Sequence, residues 1–254
     1  MELFVGRHSI VRKIWGKSDT ILFIFAGASA EFALNKAVDW LYFTGKLPAD
    51  PIGRLFSTVC YAQQIVFSDL EAAHKAIDKI TAIHSSVEKS RRAIIPDWAY
   101  RDVLYMLIHY SIASFELLER KLSLPEKEEM FNVFYRVGCR MQLKDLPTTY
   151  YQWMVSREAH IQSDLQKGEL TIDLFKQYKK HLGAARFWLL LATQKMVVPQ
   201  KVRAMLQMNK PSILTVILPI YKMSRILKMD RLIKSLVLPA DYKAKINALD
   251  MGGV

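Results

Sequence analysis

The chain has 254 residues, of which 51% are hydrophobic and 24% are charged, and its 36 basic and 24 acidic residues give a net charge of +12. This hydrophobic content excludes a disordered protein, and the length fits one large domain or at most two small ones. Two cysteines are too few for a disulfide-stapled fold. The excess of positive charge points to an anionic partner: nucleic acid, a membrane surface or an acidic ligand.

Helical periodicity runs through the whole chain, so we predict an all-α protein with a globin-like or related core of long helices. Capping and breaking residues set the boundaries, among them Gly45, Asp50-Pro51, Ser68-Asp69 and the capping box from Ser123 to Glu126. The predicted helices cover residues 18–43, 51–67, 70–87, 97–121, 125–142, 148–166, 171–197, 199–209, 213–236 and 239–248.

No internal repeat or low-complexity linker divides the chain, which predicts a single all-helical domain over residues 1–254. Within it we expect a basic leader at 1–17, the main helical core at 18–210 and a basic amphipathic C-terminal portion at 211–254. No stretch reaches the ~18–20 apolar residues that a membrane-spanning helix needs. We therefore expect a cytoplasmic protein, with peripheral membrane contact through the basic C-terminal helices as an option.

One histidine of the third predicted helix, His84, occupies a position in an apolar stripe. The stripe follows the helical spacing of three and four residues and contains Leu70, Ala73, Ile77, Ile80 and Val87. A buried neutral imidazole must find partners for its nitrogens or lose roughly 1–3 kcal/mol of hydrogen-bond energy. Two interpretations stay open: a core histidine bonded to a carbonyl oxygen, or an iron ligand in an apolar haem pocket.

The absence of several sequence motifs excludes the kinds of catalytic or binding site that those motifs form. The sequence has no His-Glu-x-x-His zinc motif, no phosphate-binding loop and no Gly-x-Ser-x-Gly nucleophile elbow. It also lacks Cys-x-x-Cys-His, so any haem would be bound non-covalently. His109, beside Tyr105 and Ile112 in an amphipathic helix, is a further candidate for the lining of a pocket. No recognised nucleic-acid-binding motif accompanies the positive charge, and we expect no nucleic-acid partner.

Several segments occur in the order found in a known family. Phe25-Ala-Gly-Ala-Ser-Ala30 resembles a glycine-led opening of a long buried helix, and Asp50-Pro51-Ile-Gly-Arg54-Leu-Phe-Ser-Thr58 resembles an Asp-Pro-x-x-Arg-x-x-x-Thr pattern. Phe67 and then His84-Ser-Ser-Val87 follow at a similar distance. In this the chain resembles the haem-b oxygenases that include latex-clearing protein and the MpaB-like oxygenase of mycophenolate biosynthesis. The resemblance covers most of residues 20–210, which we therefore regard as an oxygenase-like core over 18–210.

The resemblance implies roles for three residues. His84 would be the proximal iron ligand of haem b, and Arg54 and Thr58 would lie on the opposite side of the haem or near its edge. There Arg54 would bind a propionate or orient bound oxygen, and Thr58 would form hydrogen bonds, so both are cofactor-binding and catalytic candidates. The alternative is an Arg54 that forms a salt bridge on the helix surface and a Thr58 that satisfies its own backbone.

The chain departs from the family pattern in three places, of which the first is Ala37-Val38, where the family often has histidine-proline in the first long helix. Latex-clearing proteins have a lysine directly before the threonine, where this chain has Ser57, and Lys89 replaces the glycine usual shortly after the ligand histidine. The resemblance therefore implies a haem-dependent oxygenase that uses molecular oxygen on a lipophilic small molecule, with unsaturated compounds included, and it does not imply rubber cleavage. The alternatives are a haem-binding sensor or carrier without turnover, and a non-enzymatic helical adaptor at a membrane surface.

Overall fold

The computed structural model describes residues 2–226, and the side chains of residues 2–222. Within this part of the chain the all-α prediction is confirmed, while a globin-like arrangement stays a prediction. The helices are α1 Ile10–Trp15, α2 Ser18–Phe32, α3 Val38–Phe43, α4 Lys46–Ala49, α5 Pro51–Phe67, α6 Leu70–Arg91, α7 Asp97–Leu118, α8 Leu124–Arg140, α9 Tyr150–Ser163, α10 Glu169–Val197, α11 Gln200–Met205 and α12 Leu214–Ile226. The helix predicted over 239–248, and the end of the one predicted over 213–236, lie outside the described residues.

The predicted caps explain where several helices begin. The side chain of Asp50 accepts a hydrogen bond from the Gly53 backbone N–H at 2.8 Å, and that of Asp69 accepts one from the Ala72 N–H at 2.8 Å. Each bond satisfies one of the amide groups that the first turn of a helix leaves without an intrahelical partner. These two caps define the starts of α5 and α6, the helices that carry the three predicted site residues.

The long first helix predicted over residues 18–43 is broken in the structure, because tertiary contacts replace its central hydrogen bonds. The side-chain oxygen of Asn35 accepts from the Ala37 N–H at 2.8 Å, and its amide donates to Asp102 Oδ2 at 2.6 Å. The carbonyl of Leu34 accepts from the Gln166 N–H at 2.6 Å. A similar local break interrupts α10 at Gly183, whose positive φ of 72° is a conformation that glycine adopts without a steric penalty.

The core is built around α2, which packs against α7 and α10. The largest fully buried side chains of the core include those of Trp15, Ile24, Tyr105 and Tyr110. Trp15 belongs to α1, so the segment predicted as a basic leader contains a helix whose apolar side chains lie in the interior. Among the described helices, none has the length and apolar character needed to cross a bilayer.

Gly27 lies where α2 approaches both α7 and α10. A Cβ at this position would lie 2.2 Å from Cδ1 of Tyr110 and 3.0 Å from Cγ2 of Val197. The Tyr110 ring is fully buried, and its hydroxyl is bonded to Glu31 Oε2 at 2.7 Å, which opposes a shift of the ring. We therefore expect Gly27→Ala to lower the free energy of unfolding by about 2–3 kcal/mol, as measured by urea denaturation, because overpacking forces side chains and backbone to shift.

Gly6→Ala is the matched control, since a Cβ at Gly6 would meet no atom within 4 Å. We expect this control to change stability by no more than about 0.5 kcal/mol. Equal stabilities of the two variants would contradict the close approach of α2 to the tyrosine ring.

Candidate functional site

The three predicted site residues lie on a helical hairpin. Only Ser68 and Asp69 separate α5 from α6, so the two helices turn back on each other and pack along their length. Arg54 precedes this connection by about as many residues as His84 follows it. The hairpin therefore places the two residues at a similar height, and the positive charge of Arg54 contributes to the lowered pKa of His84. We call Arg54, Thr58 and His84 the Arg54–His84 site.

Arg54 is a largely buried cation whose described hydrogen-bond partners are hydroxyl groups. Its Nη1 donates to Ser57 Oγ at 3.0 Å and to Thr58 Oγ1 at 3.4 Å, and both hydroxyls in turn donate to the Arg54 carbonyl oxygen. No carboxylate in residues 2–222 forms an ion pair with it, so the salt-bridge alternative finds no support there. Burial lowers the pKa of Arg54. A cation in such surroundings is stabilised by an anionic ligand.

His84 offers a buried nitrogen with no partner. Its Nδ1 is inaccessible to water and makes no hydrogen bond with any described residue, so the interpretation of a core histidine with both nitrogens satisfied is not met. Burial, followed by the positive charge of Arg54, lowers the pKa of His84 to about 4, with Glu88 opposing the shift. At neutral pH the imidazole is therefore uncharged, which is the form that binds a metal ion.

A tyrosine and a glutamate that the sequence pattern did not single out support the His84 ring. The ring of Tyr100 lies 5.1 Å from that of His84, with the two planes inclined at 52°. The Tyr100 hydroxyl donates to Glu88 Oε1 at 3.1 Å, and the same oxygen accepts from the Ile95 N–H at 2.9 Å. Burial and then Glu88 raise the pKa of Tyr100, so the phenol stays protonated and keeps its bond to Glu88. Glu88 thus holds Tyr100 against the imidazole.

Apolar side chains around the Arg54–His84 site are not fully covered by protein. Leu55 and Phe56 on α5 and Ile80 on α6 are half-buried, and Ile83 is exposed next to His84. Phe56 also packs against a second apolar cluster that includes side chains of α10. A neutral imidazole, a largely buried cation and incompletely covered apolar side chains therefore lie on one helical hairpin.

A second polar cluster lies deeper in the core and joins α2, α7 and α9. Arg157 donates to both carboxylate oxygens of Glu31 at 2.5 Å, and the Tyr110 hydroxyl donates to Glu31 Oε2 at 2.7 Å. Burial alone would raise the pKa of Glu31, but the charge and hydrogen bonds of Arg157 outweigh it and hold the pKa below its ordinary value. The sequence contained a signal for this cluster, because Glu31 is the one charged residue between Asp19 and Lys36.

His109 lies next to this cluster, with its ring 4.9 Å from that of Tyr110. Burial and then the charge of Arg157 lower the pKa of His109 from 6.5 to about 4, against the opposing charge of Glu31. Above pH 6.5 neither the folded nor the unfolded state binds a proton at this residue. As the pH falls from 6.5 towards 4, only the unfolded state takes up the proton, so folding stability decreases over this window.

We therefore expect the free energy of unfolding to fall between pH 7 and pH 4.5 by about 2 kcal/mol more in the wild type than in His109→Phe. Urea denaturation at the two pH values measures the difference. The phenylalanine variant keeps an aromatic ring beside Tyr110 but cannot titrate. Identical pH dependence in the two proteins would show that folding does not lower the pKa of His109.

A third group combines Asp102, His160 and Asp164, whose potential ligand atoms lie within 4.8 Å of one another. His160 Nδ1 is bonded to an Asp102 oxygen and lies 3.2 Å from Asp164 Oδ2, while the other Asp102 oxygen accepts from Asn35. These bonds join α7 and α9 to the turn between α2 and α3. The group therefore acts as a structural connection. His160 and Asp164 are only four residues apart, but Asp102 lies 58 residues before His160, so no local pattern could indicate the whole group.

A comparison with protein families finds a match. Residues 14–219 match the family model described as "ER-bound oxygenase mpaB/B'/Rubber oxygenase, catalytic domain". The matched range begins in α1 and ends in α12, so it includes the whole Arg54–His84 site. No curated protein and no solved structure gives a significant match. The match confirms the resemblance seen in the sequence.

Proposed function

This chain belongs to the family of the ER-bound oxygenases mpaB/B' and the rubber oxygenases, and we propose that it is a haem-b-dependent oxygenase that uses molecular oxygen on a lipophilic small molecule. The observation that carries the proposal is the buried Nδ1 of His84, which has no hydrogen-bond partner in the described part of the chain. Membership of the family supports an oxygenase. The cofactor, the substrate class and the roles of individual residues are the proposed part.

The residues present fit a haem in three respects. His84 is neutral at pH 7 and has a buried nitrogen without a partner, as expected of an axial ligand. Arg54 lacks an anionic partner among the described residues, and a haem propionate would supply one. Leu55, Phe56 and Ile80, which are half-buried on the same hairpin, would supply apolar surface to the ligand. When bound, the haem iron would supply the oxygen-activating redox chemistry.

In this proposal, residues of the chain would bind the haem and orient the groups around it. His84 would hold the iron, and Tyr100, fixed by Glu88, would limit rotation of the imidazole. Arg54 would donate fixed hydrogen bonds to a propionate or to an oxygen-derived ligand, with Thr58 as a neighbouring hydroxyl donor. Ser57 stands where latex-clearing proteins have a lysine, and its hydroxyl donates to the Arg54 carbonyl at 2.8 Å. We therefore expect no amine ligand from this position.

The proposed substrate class follows from the surface beside the site. Phe56, two residues after Arg54 on α5, packs against the same apolar cluster as the half-buried side chains of Phe187 and Leu190 of α10. A surface of this kind favours a lipophilic compound over a polar one, because burial of apolar area is the main gain on binding. Unsaturated compounds are included, and cleavage of a carbon–carbon double bond is one reaction that the family resemblance implies.

The test begins with an ultraviolet–visible spectrum of the purified full chain, before and after reconstitution with haemin. We expect a Soret band, a pyridine haemochrome spectrum typical of haem b, and oxygen consumption with lipophilic alkenes such as squalene. A colourless protein that does not take up haemin would refute the proposal. A haem protein that binds carbon monoxide but neither consumes oxygen nor forms product would instead be a sensor or carrier.

A further inference from the structure

Hydrogen bonds at two points fix which side of the last described helix, α12, faces the rest of the domain. Before the helix starts, the Ser212 hydroxyl donates to the Ala192 carbonyl of α10 at 2.7 Å. Two turns into the helix, the Tyr221 hydroxyl donates to Asp19 Oδ2 of α2 at 3.2 Å. Leu214, Leu218 and Tyr221 share one side of the helix and are half-buried. This side therefore faces the domain.

A neighbouring side of α12 consists of aliphatic side chains in contact with water. The exposed fractions are 54% for Ile213, 73% for Val216, 43% for Ile217 and 66% for Ile220. Their spacing of three, four and seven residues places all four on one face, which we call the outer face of α12. Single exposed aliphatic residues are common, but a contiguous group of this kind marks an interaction surface.

The charge of the sequence that flanks the outer face indicates what kind of surface would cover it. From residue 174 to residue 229 the sequence contains eleven lysines and arginines and no acidic residue. Lys210, which is exposed, precedes the outer face, and Lys222, which is half-buried, follows it. A second copy of the chain docked through the same face would bring two such cationic regions together, and that contact is electrostatically unfavourable.

We propose that the outer face of α12 inserts into the interfacial layer of an anionic phospholipid bilayer. Aliphatic side chains without hydrogen-bonding groups, between cationic residues, match the acyl and headgroup regions of such a surface. The helix lies in the plane of the membrane and does not span it. This docking is independent of the proposed oxygenase activity, since it involves none of the residues of the Arg54–His84 site.

The experiment is co-sedimentation of the full chain with vesicles of phosphatidylcholine alone or of phosphatidylcholine mixed with phosphatidylserine. We expect binding to the mixed vesicles that weakens as salt is added, because the attraction between the lysines and the lipid headgroups is screened. In the variant Val216→Asp/Ile220→Asp we expect the partition coefficient to fall by roughly tenfold or more, since burial of aliphatic area is lost and two charges would enter the interface.

The matched control is Val155→Asp/Ile94→Asp. Val155 is 73% exposed on α9 and Ile94 is 83% exposed after α6, so these changes alter charge and hydrophobicity equally but away from α12. We expect this variant to bind vesicles nearly as the wild type does. Absence of wild-type binding, or equal binding by the α12 variant, would overturn the proposal. A change from dimer to monomer on light scattering in the α12 variant, without vesicle binding by the wild type, would assign the face to a second copy.

Discussion

Replacing His84 with alanine is expected to abolish or shift the Soret band of the haem-loaded protein. The change removes the one nitrogen of the site that is buried, neutral and without a hydrogen-bond partner in the described part of the chain. Loss of residues that merely support a metal ligand costs roughly 10–100-fold in affinity, so loss of the ligand itself is expected to cost at least 100-fold. Titration of the apoprotein with haemin, followed by absorbance, measures this difference.

The matched control for this change is His74→Ala on the same helix. His74 lies beside the Phe4 ring, with ring centroids 6.1 Å apart, and its alanine variant should keep the wild-type spectrum. Added imidazole should restore part of the Soret band in His84→Ala, because the free base can enter the space left by the side chain. An unchanged spectrum in His84→Ala would show that another residue holds the iron.

The second large effect is expected from Arg157→Leu, which should lower the free energy of unfolding by about 3–5 kcal/mol. The change leaves the Glu31 carboxylate in the core, where it is 1% exposed and retains only the hydrogen bond from Tyr110. The carboxylate must then either stay charged in an apolar environment or bind a proton, and each costs free energy. Urea denaturation at pH 7 measures the loss.

Two further variants test whether the loss of stability comes from the unpaired buried charge. The pair between Arg140 and Asp78 is also bidentate, with distances of 2.8 and 2.6 Å, but it lies at the surface, so Arg140→Leu should cost less than about 1 kcal/mol. The double change Glu31→Leu/Arg157→Leu should recover much of the stability, because no charge then stays buried. If Arg157→Leu costs no more than Arg140→Leu, the buried pair is not a strong determinant of stability.

Much of the Arg54–His84 site was predictable because its information is local. The interval of four residues between Arg54 and Thr58 corresponds to about one helical turn. The cap residues Asp50 and Asp69 indicate where the two helices that carry the site begin. The stripe that contains His84 is likewise a property of one helix. Tyr100 was not predictable, because its contact with His84 depends on how α7 packs against α6.

The interruption of the first predicted helix shows the limit of local patterns. Residues 18–43 have helical periodicity throughout, yet the chain turns after Phe32 because Asn35 bonds to Asp102 and Leu34 bonds to Gln166. These partners are far away in sequence, and no window of neighbouring residues contains them. The same holds for Glu31, whose position in an apolar segment was visible but whose partner Arg157 lies 126 residues later.

By itself the sequence determined the helical class and the caps of α5 and α6, because these depend on residue types at short, regular spacing. It also carried the family resemblance, which implied the candidate iron ligand. Tertiary structure alone decided that Arg54 lacks a carboxylate partner within the described residues, that Nδ1 of His84 is left without a hydrogen bond, and that α12 turns an aliphatic face outwards. These are properties of the space between helices. Whether a polar atom has a hydrogen-bond partner, and whether an apolar side chain is shielded from water, depends on which residues from distant parts of the sequence pack next to it. Tertiary packing therefore decides both.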